Sequence, residues 1–403
     1  MGNSGSSSDD PRYSAAARAF TPKGLDDLRS LHASLAAQSE TNGQYVSPDV
    51  FKAYIGIDGP FGDRIFDLVS QKRKDRRLTF EDLVIAKGTY EKGTKQEIEE
   101  FVFQILDVSD DGIVGRSDLE VVLTSMFNNL FHEDGSELKQ IEAFIDSANL
   151  TSDSMSLEDF QKWCAHVPAV RKYLGSLLKP SDSGTQIPKF LIPDNIDRGQ
   201  ILLTKEYAWH IGGALSHHDL KEWKLLYHSG VHGQSFNTFL GHMIKAPTVL
   251  VIKDKEGCIY GGYASQPWER HPDFYGDMKS FIFQLYPKAA SFRPTGANHN
   301  IQWCAVGFSS ESIPNGIGFG GKINHLGLFV SANFDQGHTF ECTTFGSPSL
   351  SKTTRIYPET IECWGVVPAA GDDRPEGLKG TVLDRFKEDR HMLNMVGLAN
   401  SSE

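Results

Sequence analysis

Asp107, Ser109, Asp111 and Asp118 occupy positions 1, 3, 5 and 12 of the segment Asp107-Val108-Ser109-Asp110-Asp111-Gly112-Ile113-Val114-Gly115-Arg116-Ser117-Asp118. Oxygen side chains at that spacing suit a hard cation such as Ca²⁺, with Gly112 at the sharp turn and the carbonyl of Ile113 at position 7. Val114 is the apolar residue expected at position 8, and Gly115 at position 9 leaves that place to water. The candidate metal ligands are therefore Asp107, Ser109, Asp111, Ile113 and Asp118. Asp118 stands where Glu is usual. A shorter carboxylate reaches less far for bidentate coordination, so the loop is expected to bind Ca²⁺ weakly and to tolerate six-coordinate Mg²⁺.

Other motifs lack the context that their chemistry needs. Gly316-Ile317-Gly318-Phe319-Gly320-Gly321 satisfies GxGxxG, but the residues after it lead into a strand, whereas a dinucleotide site needs a helix N-terminus there. His228 and His232 have the i,i+4 spacing of a helical zinc pair, yet Gly230 and Gly233 break the helix and no HExxH glutamate accompanies them. Structural or capping roles suit these histidines. Glu362, two residues before Trp364, is the remaining acid-base candidate. Strand alternation points it away from the face of Ile361 and Cys363, which suits contact with a partner or a hydrogen bond. No active site is assembled from local motifs, and the expectation is a protein that is not an enzyme.

The N-terminus carries an address. Met1-Gly2-Asn3-Ser4-Gly5-Ser6 fits the acceptor pattern for N-myristoylation at Gly2. One acyl chain partitions into membranes with only about 10⁴ M⁻¹, so stable residence needs a second contact. The basic run Lys72-Arg73-Lys74-Asp75-Arg76-Arg77 is a candidate for it, the alternative being a solvated loop between helices.

These groups must be held by folded elements. Between about Gly24 and Leu177 apolar residues recur at helical spacing. Four segments there repeat an apolar residue, a polar start signal and a helix-leading hydrophobe: Val46 to Phe51, Leu78 to Leu83, Val114 to Leu119 and Met155 to Phe160. That repeat suits paired EF-hand units, of which the loops other than Asp107–Asp118 lack ligand chemistry. Residues 178–198 read as a Pro-, Ser- and Asp-rich linker. Strand-like runs follow, including Thr248 to Ile252, Ile301 to Val306, Leu326 to Val330 and Thr360 to Trp364, with short helices expected around Leu215 to Leu226 and Ser235 to Met243. After a second linker, Gly377 to Met395 resumes helical periodicity with Leu378, Val382, Phe386 and Leu393 on one side.

The expected fold is thus α+β and multidomain. It comprises a flexible myristoylated tail (1–23), an all-α EF-hand-like region (24–177), a linker (178–198), a β-sandwich with short flanking helices (199–368), and a linker with a C-terminal amphipathic helix (369–403). At 403 residues the chain has room for these units. Its net charge of -12 argues against nucleic-acid binding, which needs clustered cations. The five cysteines show no CxxC pairing and read as reduced structural thiols. No run is long and apolar enough for a spanning helix or a signal peptide, so the chain is expected to fold in the cytosol.

Trp223 to Ser229, His232 to Phe236, Phe274 to Asp277 with Ser280 to Phe283, Gly318 to Gly321, and Ile361 to Gly365 resemble, in order, the successive signatures of the TLDc family. The resemblance spans about Gly199 to Val367. Joined to a myristoylation signal, an EF-hand-like region and a helical tail, it is most similar to the branch associated with the mTOR kinase and the lysosome. That branch implies binding to the vacuolar proton-pumping ATPase and a link to a growth-signalling kinase complex, on the cytosolic face of lysosomal or vacuolar membranes with a cytosolic pool. Other branches imply protection against oxidative stress. On this reading Glu362 and Trp364, with Leu378, Val382, Phe386 and Leu393 of the tail, are the partner-binding candidates. The competing expectations are a calcium-responsive myristoyl switch with a passive sandwich, and an oxidative-stress-protective protein.

Overall fold

The computed structural model describes residues 10–39, 43–131, 138–150, 154–178, 186–308 and 313–367. Gly2 and the tail positions Leu378, Val382, Phe386 and Leu393 lie outside them. The first half is helical: α1 (Pro11–Arg18), α2 (Pro22–Gln38), α3 (Pro48–Ile55), α4 (Gly59–Val69), α5 (Phe80–Lys92), α6 (Lys95–Leu106), α7 (Arg116–Leu130), α8 (Leu138–Ser147), α9 (Leu157–His166) and α10 (Pro168–Leu174). Local chemistry sets several starts. Thr79, Thr94 and Ser156 each accept an N–H from the third helical residue, whose carboxylate (Asp82, Glu97, Asp159) accepts the cap residue's own N–H. That reciprocal pair satisfies donors which the first turn leaves without partners. Helix α1 falls inside the stretch expected to be a flexible tail. It is capped by Asp10 and packs so closely on α5 that a Cβ on Gly88 would lie 2.8 Å from the Ala16 Cβ.

The four repeated apolar positions pair two by two. Val46 bridges Leu78, and the short strands β1 (Val114–Gly115) and β2 (Ser154–Met155) run antiparallel with Val114 opposite Met155. Each loop is thereby tied to the loop of the neighbouring helix pair, and all four apolar residues are buried in one continuous helical core.

The second half is built from β3 (Lys189–Leu191), α11 (Lys205–Gly213), β4 (Glu222–His228), α12 (Ser229–His232), α13 (Phe236–His242), β5 (Thr248–Asp254), β6 (Ile259–Ala264), β7 (Phe281–Tyr286), β8 (Ala290–Phe292), β9 (Gln302–Ala305), β10 (Gly316–Lys322), β11 (His325–Ser331), β12 (Gly337–His338), β13 (Arg355–Ile356) and β14 (Pro358–Val367). They form a seven-stranded sheet, β3-β4-β14-β5-β6-β7-β8, and a five-stranded sheet, β13-β12-β11-β10-β9. The last strand, β14, lies inside the larger sheet, between β4 and β5. Ile361 and Cys363 join Ile317, Phe319 and Leu328 in the core between the sheets. Trp364 and Val366 face the other side, where Ile196, Leu203, Ala208 and Ile211 cover them. The larger sheet is therefore buried on both faces here, as continuous apolar strands require.

Two expected boundaries move. Part of the stretch read as linker is strand: β3 pairs in parallel with β4, Lys189 opposite Glu222, and Ile196 joins the covering layer. The helix expected over Leu215 to Leu226 is replaced by a 3₁₀ turn at His217–Leu220 and by strand β4. A short apolar run such as Trp-Lys-Leu-Leu-Tyr does not distinguish strand from buried helix by periodicity. The glycines of 316–321 lie in β10, where a Cβ on Gly318 would come within 2.3 Å of the Leu328 carbonyl oxygen. Close strand approach is what they permit.

The two halves share a packed junction. Trp209 of α11 enters the helical core, with ring centroids 5.9 Å from Phe127, 6.3 Å from Phe131 and 6.0 Å from Phe144. Beside it, α10 and α11 touch backbone to backbone at Ala169 and Gly213.

Candidate functional site

The loop with metal-ligand spacing links α6 to α7, and its turn is set by Asp110 and Gly112 at φ 56° and 84°. The Asp107 carboxylate accepts the N–H groups of Asp111 and Gly112, each at 3.2 Å, and the Ser109 hydroxyl at 3.4 Å. Asp118 accepts the N–H of Ser109 at 3.1 Å and of Gly115 at 2.9 Å, the latter as the cap of α7. Asp111 accepts the N–H of Ile113 at 2.8 Å. The predicted ligands are thus neighbours in one turn, but both oxygens of Asp107 and both of Asp118 are already engaged by the protein.

A cation of the protein also reaches the loop. Arg64 of α4 donates to Asp107 at 3.3 Å and to Asp110 at 2.5 Å, and Lys72 meets Asp110 at 2.5 Å. These hydrogen bonds, from Lys72 and then Arg64, hold the Asp110 carboxyl below the usual carboxylate range. Among the described residues no group of three or more His, Cys, Asp or Glu is placed to hold a metal ion. The donor set fits a metal in type and order, but Asp107 already accepts four donors, from Ser109, Asp111, Gly112 and Arg64, which fills its acceptor sites. Three cations of the basic run are likewise turned to the protein's own carboxylates, Lys72 on Asp110, Arg73 on Asp82 at 2.7 Å and Arg76 on Asp63 at 2.9 Å.

Glu362 and Trp364 are not on an outer surface: both are fully buried, and this corrects their reading as partner contacts. Alternation does turn them away from Ile361 and Cys363, but the face they reach is covered by the segment leading into α11. Glu362 accepts the N–H groups of Leu202 at 2.5 Å and Leu203 at 3.1 Å, and the Trp364 indole N–H at 2.9 Å. The His228 ring lies 3.7 Å from the same carboxylate. Burial pushes the Glu362 carboxyl up, while those hydrogen bonds pull it down. The arrangement is a structural clamp with no room for a substrate.

The histidines cap. His228 Nδ1 accepts from Gly230 N–H at 3.1 Å, and His232 Nδ1 accepts from His228 N–H at 3.0 Å. The His232 ring also lies against that of the exposed His242, tilted by 32° with centroids 4.1 Å apart, a pairing that spacing did not reveal. Burial, then the charges of His242 and His228, lowers the His232 pKa. All five thiols are free and buried, and burial pushes those of Cys304 and Cys363 up to about 12.

Sequence reasoning also missed a cleft of about 640 Å³ at the junction, lined by Lys139, Gln140, Thr204, Lys205, Lys253 and Tyr286 among others. Its walls come from α8, the start of α11 and the strands β5 to β7, which are far apart in sequence.

A TLDc-domain profile matches residues 196–367. The chain is 32% identical over 255 residues to the MTOR-associated protein MEAK7 of Mus musculus, covering 60% of this chain and 55% of that protein. It is 33% identical over 221 residues to the protein of the same name in Homo sapiens, covering 53% and 48%. To Oxidation resistance protein 1 of Rattus norvegicus it is 30% identical over 178 residues, covering 44% and 19%. The chain spans about half the length, or less, of the relatives it matches.

Proposed function

We propose that this chain, a TLDc-domain protein, is a membrane-tethered adaptor of mTOR-type growth signalling that docks on the vacuolar proton-pumping ATPase and is not an enzyme. The observation that carries the mTOR part is the reach of the likeness. The match to the mouse MTOR-associated protein covers 60% of this chain, more than residues 196–367 account for, so it takes in flanking chain as well as the TLDc domain. The match to Oxidation resistance protein 1 covers 44%, about the share of the TLDc domain alone.

On this reading myristoylation of Gly2 places the protein on the cytosolic face of lysosomal or vacuolar membranes, and the helical half is a pair of EF-hand-like units acting as a spacer. The TLDc domain and the segment after Pro368 make the ATPase contact. That last element rests on the family resemblance of the sequence. With Glu362 and Trp364 inside, the docking contacts fall to the sandwich surface and to Leu378, Val382, Phe386 and Leu393.

The test is a pull-down of purified vacuolar ATPase by the full chain and by a chain ending at Pro368, each with calcium and with chelator. The full chain is expected to retain the ATPase and the shortened one to retain less. If neither binds, the ATPase assignment fails, and co-precipitation of the mTOR kinase then decides whether the growth-signalling part stands alone.

The named relatives also support a second reading, protection against oxidative stress. Burial of all five cysteines, together with the raised pKa of Cys164, Cys304 and Cys363, argues against thiol scavenging as its means, because the thiolate is the reactive form.

A further inference from the structure

Arg64 lies 43 residues before Asp107, on a different helix pair, with its side chain only 4% exposed. Its three nitrogens have three fixed partners. Nε donates to the Gln104 carbonyl in the last turn of α6 at 3.0 Å, Nη2 to Asp107 Oδ2 at 3.3 Å, and Nη1 to Asp110 Oδ1 at 2.5 Å. A guanidinium keeps its proton at every accessible pH, so this positive charge is permanent. Buried, it is tolerated only with its carboxylates in place.

The loop carries four carboxylates, Asp107, Asp110, Asp111 and Asp118, that would repel one another unless a cation were present. In a metal-dependent loop the ion supplies that charge. Here Arg64 does so for Asp107 and Asp110, with Lys72 outside it on Asp110. The turn also closes through protein donors: Asp107 on the N–H groups of Asp111 and Gly112, and Asp118 on those of Ser109 and Gly115. A divalent ion would have to take Asp107 away from a fixed positive charge and from those N–H groups.

We propose that the Arg64 guanidinium takes the place of the metal ion in the Asp107–Asp118 loop, so that the loop is closed from within and does not respond to calcium. Helix α7 begins in this loop at Arg116 and carries Phe127 against Trp209 at the junction. A loop locked by Arg64 therefore holds the junction in one arrangement whatever the calcium level. The helical half is a constitutive spacer, where ligand spacing alone suggests a switch.

The experiment uses the full chain, wild type and Arg64→Met, with thermal unfolding in calcium and in chelator and calorimetric titration with calcium chloride alone. Wild type is expected to show the same Tm in both and no saturable heat at micromolar calcium. Arg64→Met should bind calcium at least about tenfold more tightly than wild type and gain Tm only in calcium. Tight binding by wild type that Arg64→Met leaves unchanged or weakens overturns the proposal, as does a folded Arg64→Met that remains blind to calcium. If circular dichroism shows Arg64→Met to be unfolded, Asp107→Asn decides. An equal loss of Tm in calcium and chelator supports the internal cation, whereas a loss confined to calcium overturns it.

Discussion

Glu362 accepts the backbone N–H of Leu202 at 2.5 Å across 160 residues of chain, joining an interior strand of the larger sheet to the segment that enters α11. Truncating it leaves that donor, the Leu203 N–H and the Trp364 indole N–H without an acceptor. At about 1 to 3 kcal/mol for each buried donor left unpaired, Glu362→Ala should cost about 3 kcal/mol or more in urea unfolding. Glu362→Gln, which keeps one carbonyl oxygen, should cost less. Wild-type stability in Glu362→Ala would show that the clamp does not form.

The junction makes an ordering prediction. A Cβ on Gly213 would lie 2.2 Å from the Ala169 backbone nitrogen, which cannot swing aside, whereas one on Gly212 meets the Leu220 Cδ2 at 2.7 Å, the far end of a flexible side chain. Gly213→Ala should therefore lose about 1 to 3 kcal/mol to overpacking. Gly212→Ala should be near neutral, since relaxation is offset by up to about 1 kcal/mol of helix propensity. Equal losses from the two substitutions would contradict backbone contact between α10 and α11.

His210 sits on the same helix, fully buried, with its ring 5.2 Å from that of Phe144, and burial lowers its pKa from 6.5 to about 4. The folded state holds the neutral ring, so the unfolded chain binds the extra proton as pH falls. The stability contributed is present above pH 6.5 and is lost as pH falls from there to about 4, amounting to about 3 kcal/mol. His210→Gln should be less stable than wild type at neutral pH, with the gap closing over that window in paired urea titrations. A gap independent of pH would mean that the ring titrates normally.

The five buried thiols should resist modification by an aromatic disulfide reagent in the native protein at mildly alkaline pH and react at once after unfolding. One thiol reacting at a model-peptide rate would reopen thiol chemistry as a route to oxidative protection.

How much was legible follows from the range of the interactions. The polar start signals at Thr79 and Ser156 cap helices through residues three positions on, and the pairing of Val46 with Leu78 and of Val114 with Met155 follows the repeat that marks those positions. The TLDc signatures located the sandwich to within a few residues of the matched span. The helix expected over Leu215 to Leu226 failed because continuous burial on two faces erases the alternation that identifies a strand.

The ligand spacing of the Asp107 loop, the start signals of the helices and the two-faced alternation of β14 are readable without a structure, because each is decided by residues that are neighbours in the chain. What those features do depends on what packs against them. Alternation placed Glu362 on the face opposite Ile361, but Leu202 and Leu203, from the segment before α11, made that face an interior. Spacing placed carboxylates in one loop, but Arg64, brought in by the packing of α4 against α6 and α7, supplied the cation that Asp107 and Asp110 share. Both outcomes depend on groups far apart in the chain, whose meeting is set by packing of the core and not by any local pattern.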